Sequence, residues 1–342
     1  MLVDSVLFGG AAFLLAWLLT AVVRKAALSL QVMDIPNARS SHAVPTPRGG
    51  GIATVIATIL VIGVLVALRR VSLELFAAIV GGGALVAVVG FIDDRRPLPA
   101  KVRLLVHVAA ALWALGWLGG LPPLQLGETV YVFGVGGYLL GLLGIVWTLN
   151  LFNFMDGIDG IAGGEAVFVA LAGAALQLYA GSNGALPLIA VVFALGCAGF
   201  LAWNWPPARI FMGDVGSGYM GYMIAVLALV AAQENAVALL VWVILGGLFF
   251  VDATVTLVRR VLRGARVSEA HRSHAYQRLA RRWGSHRRAT SLALLVNVLW
   301  LLPCAFLSQN YPDLAGWVVI VALAPLICLV LVAGAGTPES GE

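Results

Sequence analysis

Hydrophobic residues gather into eleven long runs, at 5–23, 51–68, 75–92, 102–119, 130–149, 161–180, 186–203, 216–232, 236–257, 290–308 and 315–333. A helix rises about 1.5 Å per residue, so about 20 apolar residues cross the roughly 30 Å hydrocarbon core of a bilayer. Each run predicts a transmembrane helix, because lipid leaves a spanning backbone no partner but itself. The fifth run is the weakest, broken by Gly134, Gly136, Gly137, Gly141 and Gly144. Glycines let helices approach closely, and Gly81–Gly83 and Gly246–Gly247 are predicted to do so in the third and ninth runs.

Composition sharpens this pattern. Of the 342 residues, 61% are hydrophobic and only 11% charged, with mean hydropathy +0.99. Soluble domains carry about 25% charge. The chain is therefore expected to be an all-α integral membrane protein of about eleven transmembrane helices, one polytopic domain over 1–342 in the lipid bilayer. A disordered chain, a nucleic-acid-binding domain and an ordinary soluble enzyme are excluded. The net charge of +5 is then a matter of topology, and no nucleic-acid partner is expected. Counted with short margins into the helix ends, segments 24–50, 93–101, 204–215 and 258–289 hold 19 of the 21 Lys and Arg. The positive-inside rule places these segments, with 150–160, in the cytoplasm. The N-terminus is then outside and the C-terminus cytoplasmic. Arg69 and Arg70 are outliers that snorkelling to headgroups would tolerate. Cys197, Cys304 and Cys328 sit in apolar runs and read as small hydrophobes. Small-residue faces suit packing within the chain and are compatible with a homodimer.

Against so apolar a background the acids and amides stand out. Asp34, Asp93, Asp94, Asn150, Asn153, Asp156, Asp159, Asp214 and Glu269, with His42, His271 and His274, all fall in or beside the cytoplasmic segments. Asp252 is the deepest acid. A transporter of nucleotide sugars or lipid-linked sugars has a similar span count, but it would place polar groups near the midplane. The distribution favours an interfacial site facing cytosolic solutes.

Five segments carry candidate chemistry. Asp93-Asp94 closes the third run, and two adjacent carboxylates there call for a cation, or else mark the membrane boundary. In Asn150-x-x-Asn153-x-x-Asp156-Gly157-Ile158-Asp159-Gly160, hard oxygen donors recur every third residue, which suits Mg²⁺. Glycines there let backbone approach a ligand. Phe211-Met-Gly213-Asp214 precedes the eighth run, where Asp214 suits a metal and Phe211 a stacked base; alone it reads as a capped helix start. The basic loop holds His271-Arg272-Ser-His274, which fits phosphate binding beyond its topological role. The Pro-rich segment 34–51 offers Arg39, His42 and Arg48 to an anionic substrate, or serves as a rigid connector.

In that order, DxPNxRxxH…PTPRGGG, GFIDD, NxxNxxDGIDGIA, the GDVGSGY turn and HxxH resemble the polyprenyl-phosphate N-acetylhexosamine-1-phosphate transferases. The resemblance runs from residue 34 to about 278. It implies attack of undecaprenyl phosphate on the β-phosphorus of a UDP-N-acetylhexosamine. The products would be undecaprenyl-diphospho-sugar and UMP, formed on the cytoplasmic face of a bacterial inner membrane. The implied cofactor is Mg²⁺, with Mn²⁺ as an alternative. By motif, Asn153 and Asp214 would be metal ligands, and Asp93 would orient or deprotonate the lipid phosphate with Asp94 beside it. Asp159 and the Gly157 backbone would read uracil, Phe211 would stack on it, and Asp156 would hold the site together. His271 and His274 would contact the diphosphate or sugar, with Arg272 and Asn150 as further substrate contacts. Lys101 and Arg103 would contact the lipid phosphate. Many relatives carry a denser HxHH cluster. The HRSHAY variant here, with residues 101–123, looks most like the branch that initiates O-antigen on N-acetylfucosamine-like sugars. The sugar is thus left open. So is the choice between single displacement and a covalent intermediate on Asp93.

Overall fold

The computed structural model describes residues 2–36, 44–127, 129–265 and 271–338. Arg39, His42 and Glu269 lie outside these residues. Every predicted run is helical: α1 (Leu2–Ser29), α2 (Gly51–Ala67), α3 (Leu73–Asp93), α4 (Ala100–Leu118), α5 (Gly136–Met155), α6 (Ile161–Tyr179), α7 (Ala185–Asn204) and α8 (Asp214–Gln233). Then follow α9 (Leu239–Leu245), α10 (Gly247–Leu262), α11 (Ala275–Trp283), α12 (His286–Val296), α13 (Leu302–Asn310) and α14 (Ala315–Val332). Among the described residues, nine helical stretches are long and apolar enough to cross a bilayer, and α9 with α10 form a bent tenth. The 17-residue α2 is apolar but shorter. The chain is an all-α multi-span membrane protein.

Three elements depart from the sequence pattern. The ninth run is not one straight span: α9 and α10 meet at 78° across Gly246, where no side chain props the helix open or closed. The fifth helix starts at Gly136 rather than at 130, because Thr129–Tyr131 (β4) pairs antiparallel with Leu124–Leu126 (β3). Gly134, at φ +51°, makes the turn from strand to helix. In the tenth run a π-helical turn, Asn297–Leu301, joins α12 to α13 just before Pro303. Proline has no N–H for the preceding ladder, and a wider turn accommodates the loss. The polar segments are also shorter than expected, since α1 runs to Ser29, α5 to Met155 and α10 to Leu262.

Helix α8 lies at the centre, with its spanning window wholly buried in protein, whereas those of α1, α4 and α14 are mostly exposed to the lipid zone. Such burial requires small residues wherever a neighbour crosses. A Cβ on Gly82 would strike the Tyr222 ring, and one on Gly83 would lie 2.9 Å from Tyr219. A Cβ on Gly221 would come within 2.5 Å of the Thr148 carbonyl oxygen of α5. Tyr222 Oη donates to the Ala78 carbonyl at 2.6 Å, which satisfies its hydroxyl inside the membrane. The outlying Arg70 lies 3.8 Å from Asp4 of α1, so that basic pair has an acidic neighbour.

The glycine contacts give a stability test away from the polar cluster. Gly221→Ala is expected to destabilise the fold by about 1–3 kcal/mol through overpacking against backbone that cannot yield. A lower melting temperature in detergent checks it.

Candidate active site

The polar segments meet at one end of the bundle because each helix end there is fastened to another segment. The Asp94 carboxylate accepts the Asp214 N–H at 2.8 Å and the Val215 N–H at 3.2 Å. It is thereby a cap for α8 supplied by α3. Gly90 permits the approach, since a Cβ there would lie 2.5 Å from the Asp214 carbonyl oxygen. Arg48 Nη2 sits 2.8 Å from Asp94 Oδ1 and 3.2 Å from Asp214 Oδ1. The strands Met33–Asp34 (β1) and Thr46–Pro47 (β2) hold it in place, and Gly50 and Gly51 donate to the Phe211 and Met212 carbonyls at 2.9 Å. Arg103 Nη1 bridges Asp93 Oδ2 at 2.7 Å and Asp214 Oδ2 at 3.2 Å. Asp93 Oδ1 also accepts the Leu98 N–H.

In front of these ion pairs is a cavity of about 220 Å³ lined by Asp34, Arg48, Asn153, Asp156, Gly157, Asp159, Phe211, Asp214, Gln277 and His286 among others. It adjoins a second chamber of about 560 Å³, with Asp159, Phe211 and His286 on both walls and Arg281 and Arg287 on the outer one. The last turn of α5 delivers Asn153, whose Nδ2 donates to Ser217 Oγ at 3.1 Å. Asp159 Oδ2 accepts the Ala208 N–H at 3.0 Å, and Oδ1 lies 3.2 Å from His286 Nδ1. Gly160, at φ +75°, turns the chain into α6 while its N–H donates to Asn204 Oδ1 at 2.9 Å.

Electrostatics follow from this crowding. Asp156 lies deep in the cleft, and that seclusion, with Asp214 across from it, pushes its carboxyl well above the ordinary carboxylate range. Burial also raises Asp94, only partly offset by Arg48 and the two backbone N–H groups. Burial opposes the charge on Arg48, but Asp94 and Asp214 outweigh it and hold the guanidinium more firmly protonated than usual. The wall is thus an excess of negative charge held by two arginines.

Other predicted residues lie elsewhere. Asp93 and Asp94 do not line the cavity; they stand behind Asp214. Asn150 Nδ2 donates to the Val146 carbonyl of its own helix at 2.7 Å and is not on the cavity wall. Lys101 is exposed on the first turn of α4. His274 is buried, its Nδ1 3.3 Å from Asp252 Oδ1, and caps α11. The His271 ring lies 5.0 Å from it, and neither histidine lines the 220 Å³ cavity. Burial, then His274 and Arg260, push His271 down to about 4, so its ring is neutral at physiological pH. Arg272 is half-buried, and its carbonyl accepts from Arg281 Nη2 at 3.0 Å. Sequence reasoning passed over His286 and Gln277. The only signal was that His286 follows Ser285, the N-cap of α12, whose Oγ accepts the Arg288 N–H at 3.2 Å.

The profile of Glycosyl transferase family 4 matches residues 76–232, which include the Asp93, Asn153, Asp156 and Asp214 segments. A decaprenyl-phosphate N-acetylglucosaminephosphotransferase of Mycolicibacterium smegmatis is 32% identical over 89% of this chain and 81% of its own length. The chain belongs to this family, the polyprenyl-phosphate N-acetylhexosamine-1-phosphate transferases. A phospho-N-acetylmuramoyl-pentapeptide-transferase of Moorella thermoacetica is 35% identical over 64% of the chain and 69% of its own length. An undecaprenyl-phosphate α-N-acetylglucosaminyl 1-phosphate transferase of Yersinia pestis is 27% identical over 90% and 85%.

The transferase presents a donor set that fits a hard divalent cation. Asp156, Asp214 and Asn153 offer carboxylate and amide oxygens to one cavity whose carboxylates repel each other. Among the described residues no three His, Cys, Asp or Glu form a closed metal cage. Mg²⁺ would need only one or two of these carboxylates, with water and phosphate completing its shell.

Asp156 supplies a test with a fixed sign. A carboxyl raised in the folded state stabilises the fold at low pH, and that contribution is lost as pH rises through its folded value. Asp156→Asn is therefore expected to raise the melting temperature of metal-free protein, with a larger gain at pH 8 than at pH 5. Mg²⁺ should stabilise the parent protein more at the higher pH. Melting curves with EDTA and with Mg²⁺ at the two pH values check both.

Proposed function

We propose that the transferase moves an N-acetylhexosamine 1-phosphate from its UDP-sugar to undecaprenyl phosphate at the cytoplasmic face of a bacterial inner membrane. The observation that carries this reading is the two-part cleft: an acidic cavity with Asn153, Asp156 and Asp214, and an adjoining chamber with Phe211, His286, Arg281 and Arg287. The acidic part suits a cation with a diphosphate. Asp159, the Gly157 backbone and Phe211, on the shared wall, suit a uracil ring. The +5 charge balance and its sorting support the orientation.

A bound Mg²⁺, held by Asp214 and Asn153 with Asp156 facing it, would neutralise charge on the donor diphosphate. The chain's own residues orient the partners. Arg103, fixed by Asp93 and Asp214, lies at the start of α4, where an acceptor phosphate arriving from the lipid would meet it. An acceptor oxygen bonds to the β-phosphorus, and the bond from that phosphorus to the bridging oxygen breaks. UMP leaves with the bridging oxygen and its electron pair. A phosphate monoester has its second pKa near about 6, so the nucleophile is already ionised. The barrier is repulsion between anions, which positioned cations lower. Asp93 then acts by holding Arg103, and no covalent intermediate is needed. We assign the product to cell-surface polysaccharide synthesis of the O-antigen type, on the HRSHAY loop and residues 101–123.

The test mixes purified protein, undecaprenyl phosphate, Mg²⁺ and a panel of UDP-N-acetylhexosamines, and measures UMP. Release with at least one sugar is expected; none with any sugar would favour carriage without bond cleavage. Asp93→Asn and Asp214→Asn should each lower turnover by about 100-fold or more, given what misplaced charge costs at such sites. Near-normal turnover in Asp214→Asn would remove it from the metal site. UMP released without acceptor would instead support a covalent route.

A further inference from the structure

Asp252 belongs to no sequence motif discussed above, yet it is among the most heavily bonded acids in the protein. It is 3% exposed, on α10 beyond the bend at Gly246. Its Oδ1 accepts the Thr256 hydroxyl at 3.0 Å and the Ala275 N–H at 3.0 Å, and faces His274 Nδ1 at 3.3 Å. Its Oδ2 accepts the Tyr276 N–H at 3.0 Å. A carboxylate so deep is unfavourable unless satisfied. Three of its four partners belong to the start of α11.

The other side of α11 is also fixed. Arg278 donates to the Thr337 carbonyl and Arg282 to that of Ala333, while from α10 Arg259 reaches Ala335 at 2.7 Å and Arg263 reaches Gly336 at 3.2 Å. The Gly336 N–H returns to the Ser273 carbonyl at 2.9 Å. Four arginines of the basic loop thus serve the turn after α14, where a helix leaves unsatisfied carbonyls.

What α11 then presses on is the Asp156–Gly160 turn. Tyr276 Oη donates to the Phe154 carbonyl at 3.0 Å, and Gln277 lines the acidic cavity. Gly157 lets them close on the turn, because a Cβ there would meet Tyr276 Oη and lie 2.6 Å from Gln277 Nε2, so both side chains would have to shift.

We propose that Asp252 is a positioning residue for the donor half of the site. By capping α11 and fixing the His274 ring through Nδ1, it sets Tyr276 and Gln277 against the turn that shapes the donor cavity. It has no contact with Asp93 or Arg103, on the acceptor side. The inference rests on the proposed placement of the UDP-sugar against that turn.

The full-length protein tests it with two readouts, UMP release with each substrate varied separately and binding of UDP alone. Asp252→Asn is expected to raise the donor KM and the UDP Kd about tenfold or more, because small misplacements of substrate-positioning groups are that costly. The acceptor KM should not change. Thr256→Val, which removes one donor from the same carboxylate, should shift the same parameters less. An unchanged donor KM and UDP Kd in Asp252→Asn would overturn the inference, as would equal changes in both KM values. Should Asp252→Asn not fold, Thr256→Val decides by the same criteria. If the parent protein binds UDP but releases no UMP, the proposed reaction fails, and the UDP Kd still decides the role of Asp252.

Discussion

The site depends on how the N-terminus of a wholly buried helix is satisfied. Helix α8 has no lipid-facing side in its spanning window, and its first residue, Asp214, projects into a polar cleft. Backbone N–H groups at a buried helix start need partners within the protein. Asp94 supplies one carboxylate for two of them. That bond draws the end of α3 to the start of α8, which brings Asp93 beside Asp214 and places three carboxylates within reach of two arginines. Gly90 makes the contact sterically feasible, and Gly51 against Gly216 repeats the device between α2 and α8.

The resulting charge balance accounts for the chemistry. Arg48 and Arg103 pair with Asp93, Asp94 and Asp214, whereas Asp156, with no ion pair among the described residues, is raised well above its ordinary range by burial and by Asp214. Such a cavity would suit the divalent cation and diphosphate of the proposed reaction. The cationic chamber beside it, with Arg281 and Arg287, complements the other end of an extended anionic ligand. His271 is neutral at physiological pH, so it adds no charge to the arginines of this region.

Much of this was legible in the sequence. Hydrophobic runs are long-range averages over about 20 residues, so their helices appear as predicted, and only local breaks such as Gly246 and the β3–β4 hairpin alter them. Asn153, Asp156, Asp159 and Asp214 stood out because a polar residue in an apolar chain is unfavourable without a purpose, and Phe211 as an aromatic ring beside Asp214; the fold brings all five to one cavity. His286 did not stand out, because it has no second histidine at helical spacing and lies outside the motifs. Asp94 read as a twin of Asp93, although one caps a helix and the other holds Arg103. Adjacent residues in a chain carry no record of which way each side chain points.

The sequence by itself determined the solvent of this protein, the order of its helices and the class of chemistry at one boundary. The first two follow from composition and periodicity, which sum over many residues, and the third from the resemblance of the polar motifs to a family. The tertiary structure alone decided which carboxylates face the cavity and which face arginines. It also decided that four arginines of the basic segment hold the turn after α14, and that Asp252 caps α11 from α10. These outcomes rest on single contacts between residues far apart in the chain, 120 positions for Asp94 and Asp214 and 166 for Arg48 and Asp214. Such pairings are set by how buried helices satisfy their last unpaired backbone groups, and no local pattern records them.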